Sequence, residues 1–267
     1  MNYWTEQSIE FANQNDYLDK LYKVYPISPN LRRELDADSQ KKIKLAFDAN
    51  NNKLLIASLL ETELFPIKDS YVAYLRHDKS SISRNPRTVD RLAGHLYEMG
   101  YEAVIDKCTQ PKETNRQIGP MFKNWLNKGT LGAVVYKNVE DFLSNPEENA
   151  VLNVSDEEMK QFAAEYLGYN REKGLDFVAR FNGKYIVGEA KFITDFGGHQ
   201  NAQFADAVST ITSKFYSNKV GTEVIPIAIL DGVLYIKGNH KMFKYMQTHE
   251  DQIIISSLLL NSFLYSL

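Results

Sequence analysis

The stretch Gly174-Leu-Asp-Phe-Val-Ala-Arg-Phe-Asn-Gly-Lys-Tyr-Ile-Val-Gly-Glu-Ala-Lys-Phe192 decides how the rest of the sequence is read. Two alternating runs, 174–181 and 184–192, are joined by Asn182-Gly183. Both linking residues tolerate the positive φ of a type I′ turn, so the spacing predicts a two-residue β-hairpin. A loop of that length fixes the register. Counting outward, Phe181 faces Lys184, Ala179 faces Ile186, Phe177 faces Gly188 and Asp176 faces Glu189. The last pair sets two carboxylates opposite each other, with β-carbons roughly 4.5 to 5.5 Å apart in a regular ladder. Lys191 shares their face, because residues two apart on a strand point the same way.

Like charges in directly opposed positions destabilise a sheet, so stability alone would not select this pair. A divalent cation removes the conflict. Two carboxylates, a main-chain carbonyl and waters make an oxygen site suited to Mg²⁺, which keeps much of its hydration shell. A lysine beside the ion can orient or deprotonate an attacking water, or neutralise charge developing on a phosphoryl group. Such a set suits phosphodiester hydrolysis. The same residues also admit a plainer reading, a surface hairpin on which Asp176 and Glu189 are solvated and Lys191 pairs with one of them. That reading has to account for the apolar neighbours Val178, Ile186 and Val187.

Gly174-Leu-Asp176, twelve intervening residues, then Glu189-Ala-Lys191 resembles the bipartite signature of the PD-(D/E)XK nuclease superfamily. The resemblance implies that Asp176 and Glu189 hold Mg²⁺ and that Lys191 is the catalytic lysine. Leu175 stands where the family usually has proline, a position whose side chain adds no chemistry. The implied fold is an α/β, restriction-endonuclease-like core, with a central mixed β-sheet flanked by helices. Chain size, a helical N-terminal part and the absence of nucleotide-loop motifs make the sequence most similar to type II restriction endonucleases. Site-specific, Mg²⁺-dependent cleavage of double-stranded DNA is then expected, with a companion DNA methyltransferase. The alternatives are a structure-selective nuclease of the same superfamily, such as a resolvase or repair nickase, and a DNA-binding protein that keeps the fold without cutting.

Outward from the hairpin, residues 1–64 carry helical patterns broken by Pro26 and Pro29 and are expected to form a helical extension, with 65–267 as the catalytic and recognition domain. Strands are predicted for 65–75, 101–105, 224–230 and 233–237, with another short apolar run at 131–136. Helices are predicted from Pro86, where Val89, Leu92, Leu96 and Met99 share one face, over 117–126, and from Gly198 to about Ser217. Ser155 followed by Glu158 has the form of a capping box opening an acidic helix to about Leu167. The apolar segment 253–264 reads as a packed C-terminal helix, too short and too interrupted by serine to span a bilayer.

The turn after the catalytic strand, Thr194-Asp-Phe-Gly-Gly-His-Gln-Asn-Ala-Gln203, opens that post-Gly198 helix. Glycines allow close backbone approach, a helix N-terminus favours phosphate, and Gln and Asn pair with adenine. His199, Gln200, Asn201 and Gln203 are therefore candidates for DNA recognition, or else polar caps of an ordinary glycine turn. Arg84, Arg87 and Arg116 are candidates for phosphate or groove contact, or else solvated loop residues. Glu98 and Glu165, each on a helix before the motif, are candidate third carboxylates or surface acids.

The 267 residues include 43% hydrophobic, 12% aromatic and 24% charged side chains, which excludes disordered and low-complexity classes. A formal charge of −3 hides a basic segment and an acidic one. Residues 76–128 hold ten Lys or Arg against six acids, and 140–165 hold eight acids against one Lys. Cys108 is the single cysteine, which rules out an internal disulfide or a thiolate zinc cluster and fits a reducing cytoplasm. Residues 1–10 have acids and no basic stretch, unlike a signal peptide. Covalent catalysis and ATP use have no support, since neither a G-x-S-x-G elbow nor a phosphate-cradling glycine loop is present. Cutting both strands at one site needs two catalytic centres, so a homodimer is expected, with Tyr17, Tyr22, Tyr25 and the 253–264 segment as interface material.

Overall fold

The computed structural model describes residues 1–26, 32–111, 117–213, 215–216 and 218–267. The chain divides into two compact units, Met1–Ile27 with Thr114–Leu267, and Ser28–Glu113.

The first unit is built on the hairpin. Strands β3 (Phe177–Phe181) and β4 (Lys184–Ile193) pair in the register read from the sequence, from Phe181 opposite Lys184 to Phe177 opposite Gly188. The turn holds Asn182 at φ 49° and Gly183 at φ 75°, the left-handed conformations that Asn and Gly adopt most readily. Strand β2 (Ala150–Leu152) pairs antiparallel with β3 and parallel with β1 (Val134–Tyr136). On the other side β5 (Val224–Gly232) runs parallel to β4, and β6 (Ile253–Ile255) parallel to β5. The result is a six-stranded mixed sheet in the order β1-β2-β3-β4-β5-β6.

Parallel neighbours require crossovers, which helices supply. Helix α10 (Val139–Ser144) lies between β1 and β2, α12 (Gly198–Ile211) between β4 and β5, and α13 (Lys241–Thr248) between β5 and β6. Alternation sends the hairpin's apolar side chains to two faces. Phe177, Ala179, Phe181 and Ile186 join a core with Phe122 of α9 (Ile118–Asn127), Phe204 of α12 and Ile227. Val178, Tyr185 and Val187 join a second core with Phe142 of α10 and with Met159 and Phe162 of α11 (Asp156–Tyr166). The Ser155–Glu158 capping box opens α11 as expected. This mixed α/β sheet flanked by helices is the architecture expected of a restriction-endonuclease-like core.

Among the described residues, the elements of the second unit are all helices: α3 (Ala37–Asp48), α4 (Asn52–Leu60), α5 (Ser70–His77), α6 (Ser81–Arg84), α7 (Pro86–Met99) and α8 (Tyr101–Cys108). Its core gathers Ile43, Leu55, Leu59, Val72, Leu92, Leu96 and Val104.

Among the described residues, several predicted elements take a different form. Residues 101–105 are helical, because Val104 and Cys108, four apart, are both buried while the charged residues between them are not. Within 65–75, helix α5 starts at Ser70, where the Asp69 side chain accepts from Tyr71 N, and buries Val72 and Leu75. After β5, Gly232 at φ 102° turns the chain into a 3₁₀ turn, Val233–Tyr235, in place of a strand. The 253–264 segment is strand β6, a 3₁₀ turn at Ser257–Leu259 capped by Ser256, and α14 (Leu260–Tyr265). Helix α12 stops at Ile211 instead of reaching Ser217.

The N-terminal helices are also divided differently from the expected boundary at residue 64, which falls inside the helical unit. Helices α1 (Tyr3–Ala12) and α2 (Tyr17–Val24) belong to the sheet unit, where Ile9, Tyr17, Leu21, Val24 and Tyr25 pack into its core. Tyr17 and Tyr25, expected at an interface, are thus buried within the unit, as are Leu260, Phe263 and Leu264, whereas Tyr22 is exposed. Among the described residues, no helix is long and apolar enough to cross a membrane.

Candidate active site

The chain enters β3 through Gly174-Leu175. A β-carbon on Gly174 would stand 2.8 Å from that of Asp156, so only glycine lets the segment run this close to the start of α11. Leu175 N donates to Asp156 O at 3.3 Å, which draws the chain off the sheet just before the ladder begins. Asp176 therefore stands at the ladder's edge. Its N–H donates to Gly188 O at 3.0 Å, and its Oδ2 accepts from Ala190 N at 2.9 Å. The carboxylate takes the place of a strand carbonyl, which fixes its orientation toward β4.

Lys191 Nζ donates to Asp176 Oδ2 at 2.6 Å and lies 2.9 Å from Glu189 Oε2. The ladder ends at Phe177 opposite Gly188, one pair short of the expected Asp176–Glu189 pairing, yet the two carboxylates and the lysine of the sequence motif are in one constellation. Glu189 is buried, while Asp176 and Lys191 are partly exposed, so the site opens from a desolvated end to a wetted one. Burial, reinforced by Asp176, pushes the Glu189 carboxyl up to about 7, against the lowering effect of Lys191 and Lys173. For Lys191, burial disfavours the ammonium, but the charges of Asp176 and Glu189 outweigh it and hold its pKa above the ordinary lysine value. Lys191 is therefore a cationic donor as it stands.

Two residues of this cluster carried no sequence signal. Lys173 Nζ lies 3.0 Å from Glu189 Oε1 and forms an ion pair and hydrogen bond with Asp206 of α12. Lys173 sits just before the motif, and Asp206 reaches it only because α12 packs on the sheet. Beside Asp176 runs an open groove of about 450 Å³, walled by Lys123, Asn124 and Asn127 of α9, by Asn153 and by Asp156. Nothing in the spacing of the three asparagines marked this wall.

The residues fit a hard cation. Glu189 Oε1 is buried and ion-paired with Lys173 at 3.0 Å without a well-directed hydrogen bond, so its lone pairs remain open to a cation. Among the described residues, no group of three His, Cys, Asp or Glu side chains is gathered to hold an ion. Two carboxylates with retained water suit Mg²⁺ better than an ion demanding an all-protein cage. The candidate third carboxylates are engaged elsewhere: Glu165 pairs with Lys219 at 3.3 Å, and Glu98, in the helical unit, lies 3.6 Å from His95.

The remaining candidates are placed as follows. Gln200 is buried, and its Oε1 accepts from Thr194 N at 3.1 Å, so it braces the loop after β4. Asn201 donates to Phe196 O and Gly197 O, capping the same turn. His199 is exposed, with Gln203 Nε2 3.2 Å from its Nε2, and these two present polar groups at the start of α12. In the helical unit, Arg87 is exposed and Arg84 is ion-paired with Asp78. Arg116 lies outside the described residues.

A family model described as Tsp45I type II restriction enzyme matches residues 2–267. No curated protein matches the chain, and no solved structure does.

Proposed function

The chain belongs to the Tsp45I type II restriction enzyme family, a family of site-specific DNA endonucleases, and from that premise we propose that Asp176, Glu189 and Lys191 form its active site with Mg²⁺. The observation carrying this reading is the convergence of the three side chains, with the Lys191 ammonium 2.6 Å from Asp176 Oδ2 and 2.9 Å from Oε2 of the buried Glu189. Asp176 and Glu189 would hold the ion. When bound, a divalent cation supplies neutralisation of phosphate charge and a lowered pKa for water.

The chain's own contribution is positioning. The Ala190 N–H and the Lys191 ammonium fix the Asp176 carboxylate, so the ligand is oriented before any ion arrives. Lys191, held as an ammonium between the carboxylates, is placed to orient an attacking water and to offset charge on the phosphate. The buried end at Glu189 excludes bulk water, which strengthens each of these interactions. The groove beside Asp176 and the His199–Gln203 end of α12 are the surfaces of this unit suited to double-stranded DNA. A homodimer, one site per strand, and a protecting methyltransferase in the same cytoplasm complete the proposal.

The test is plasmid cleavage with Mg²⁺. Asp176→Asn and Lys191→Ala should each abolish linear product, while Lys191→Ala still binds Ca²⁺, because its role lies in the reaction. Full cleavage by either variant rejects the assignment.

A further inference from the structure

Lys173 is the unexpected member of the site. Its ammonium stands 3.0 Å from Glu189 Oε1, yet that oxygen accepts no hydrogen bond. The ammonium's directed bond goes instead to Asp206 Oδ2 on α12. The contact with Glu189 is therefore an ion pair without a well-directed hydrogen bond, on the side of the carboxylate whose lone pairs remain available. A cation in that place neutralises Glu189 while the site is empty, and it opposes a second cation binding to the same oxygen. Asp206, itself 44% exposed, offers the ammonium an alternative partner within reach.

We propose that Lys173 is an internal counter-cation of the metal site, holding the charge of Glu189 in the ion-free enzyme and withdrawing onto Asp206 when a divalent cation loads. Lys173 and Asp206 are thus positioning residues, and the pair links the buried metal ligand to the helix whose first two turns carry His199 and Gln203. This inference rests on the reading of Asp176 and Glu189 as the ion's ligands.

The pair gives opposite signs in two variants, which a merely structural role would not. A unit positive charge this close to a ligand atom weakens divalent binding by on the order of tenfold, even at the dielectric of water. Lys173→Met, which removes the charge and keeps the length, should therefore bind Mg²⁺ about tenfold more tightly than wild type, measured calorimetrically without DNA. Asp206→Asn leaves Lys173 with Glu189 alone and should bind Mg²⁺ more weakly. The double variant should match Lys173→Met, since Asp206 acts through the lysine, and Lys173→Arg should restore wild-type affinity. Melting curves of all variants establish that each is folded. If wild type binds Mg²⁺ and Lys173→Met binds no tighter, or Asp206→Asn binds more tightly, the counter-cation is wrong while the two-carboxylate site stands. If wild type neither binds Mg²⁺ nor cuts plasmid, the two-carboxylate site fails and this inference falls with it.

Discussion

Replacing Glu189 by glutamine should stabilise the metal-free protein above neutral pH and leave it unchanged in acid. The Glu189 carboxyl is pushed up to about 7 in the fold, from an ordinary value of 4.5, by burial and by Asp176. A group whose folded pKa is raised binds its proton more tightly when folded. The stability it lends is complete below 4.5 and is lost as pH climbs through 7. Over that window the ion-free protein should lose about 3 kcal/mol, taking about 1.4 kcal/mol per pKa unit. Glutamine imitates the protonated acid, so Glu189→Gln should escape the loss. For a protein of this size 1 kcal/mol corresponds to roughly 2–4 °C, which places the variant about 6–12 °C above wild type at pH 8.5. Thermal melts in EDTA between pH 4.5 and 8.5 measure the difference. Adding Mg²⁺ at pH 8.5 should then raise the wild type and leave the variant where it was. A variant less stable than wild type at pH 8.5, or a difference that does not vary with pH, refutes the reasoning.

Three further outcomes are expected. Arg180 is almost wholly buried and its guanidinium is met by the carbonyls of Phe142, Asn145 and Glu148; Arg180→Met orphans all three and should cost about 3 kcal/mol in denaturant melts, with m unchanged. If the start of α12 reads bases, Gln203→Ala should weaken binding to the cognate duplex by about 1–3 kcal/mol and spare random duplex, whereas Arg87→Ala should weaken both and flatten the salt dependence. Titrations at two salt concentrations separate the two, and equal losses on both duplexes for Gln203→Ala would remove α12 from the readout. Light scattering with and without DNA should give a dimer; a monomer in both states that makes concerted double-strand cuts would overturn the two-centre arrangement.

What the sequence made legible was local. Asn182-Gly183 specified the turn through its backbone conformations, and the register followed by counting, down to Phe177 opposite Gly188. The end of the ladder was not legible, because it depends on Leu175 N finding Asp156 O on α11, a contact set by tertiary packing. The short apolar run at 101–105 fits a strand as well as a helix, and only burial at Val104 and Cys108 decides for the helix. Gln200 reads as an exposed polar residue at a helix start, yet the loop after β4 turns it inward to satisfy Thr194 N. Lys173 and Asp206 lie 33 residues apart and meet only through the packing of α12 on the sheet, so no spacing rule would have paired them.

Charge accounts for why the site needs these extra residues. Three carboxylates, on Asp176, Glu189 and Asp206, face two ammonium groups, on Lys173 and Lys191. With Glu189 ionised the cluster carries one net negative charge, in surroundings where Glu189 itself is desolvated. Without an ion, a proton taken up by Glu189 near pH 7 brings the cluster to neutrality. A divalent cation reverses the sign to one net positive charge, which is the complement of a single phosphodiester. Cation and substrate together are therefore neutral in a place where a charge on either side would be costly. A hairpin with only Asp176, Glu189 and Lys191 has the same net charge, but it leaves Glu189 Oε1 without a counter-charge when empty. Lys173 with Asp206 adds that counter-charge and its partner without altering the sum, so the ligand is held ready and the affinity for DNA still waits on the ion.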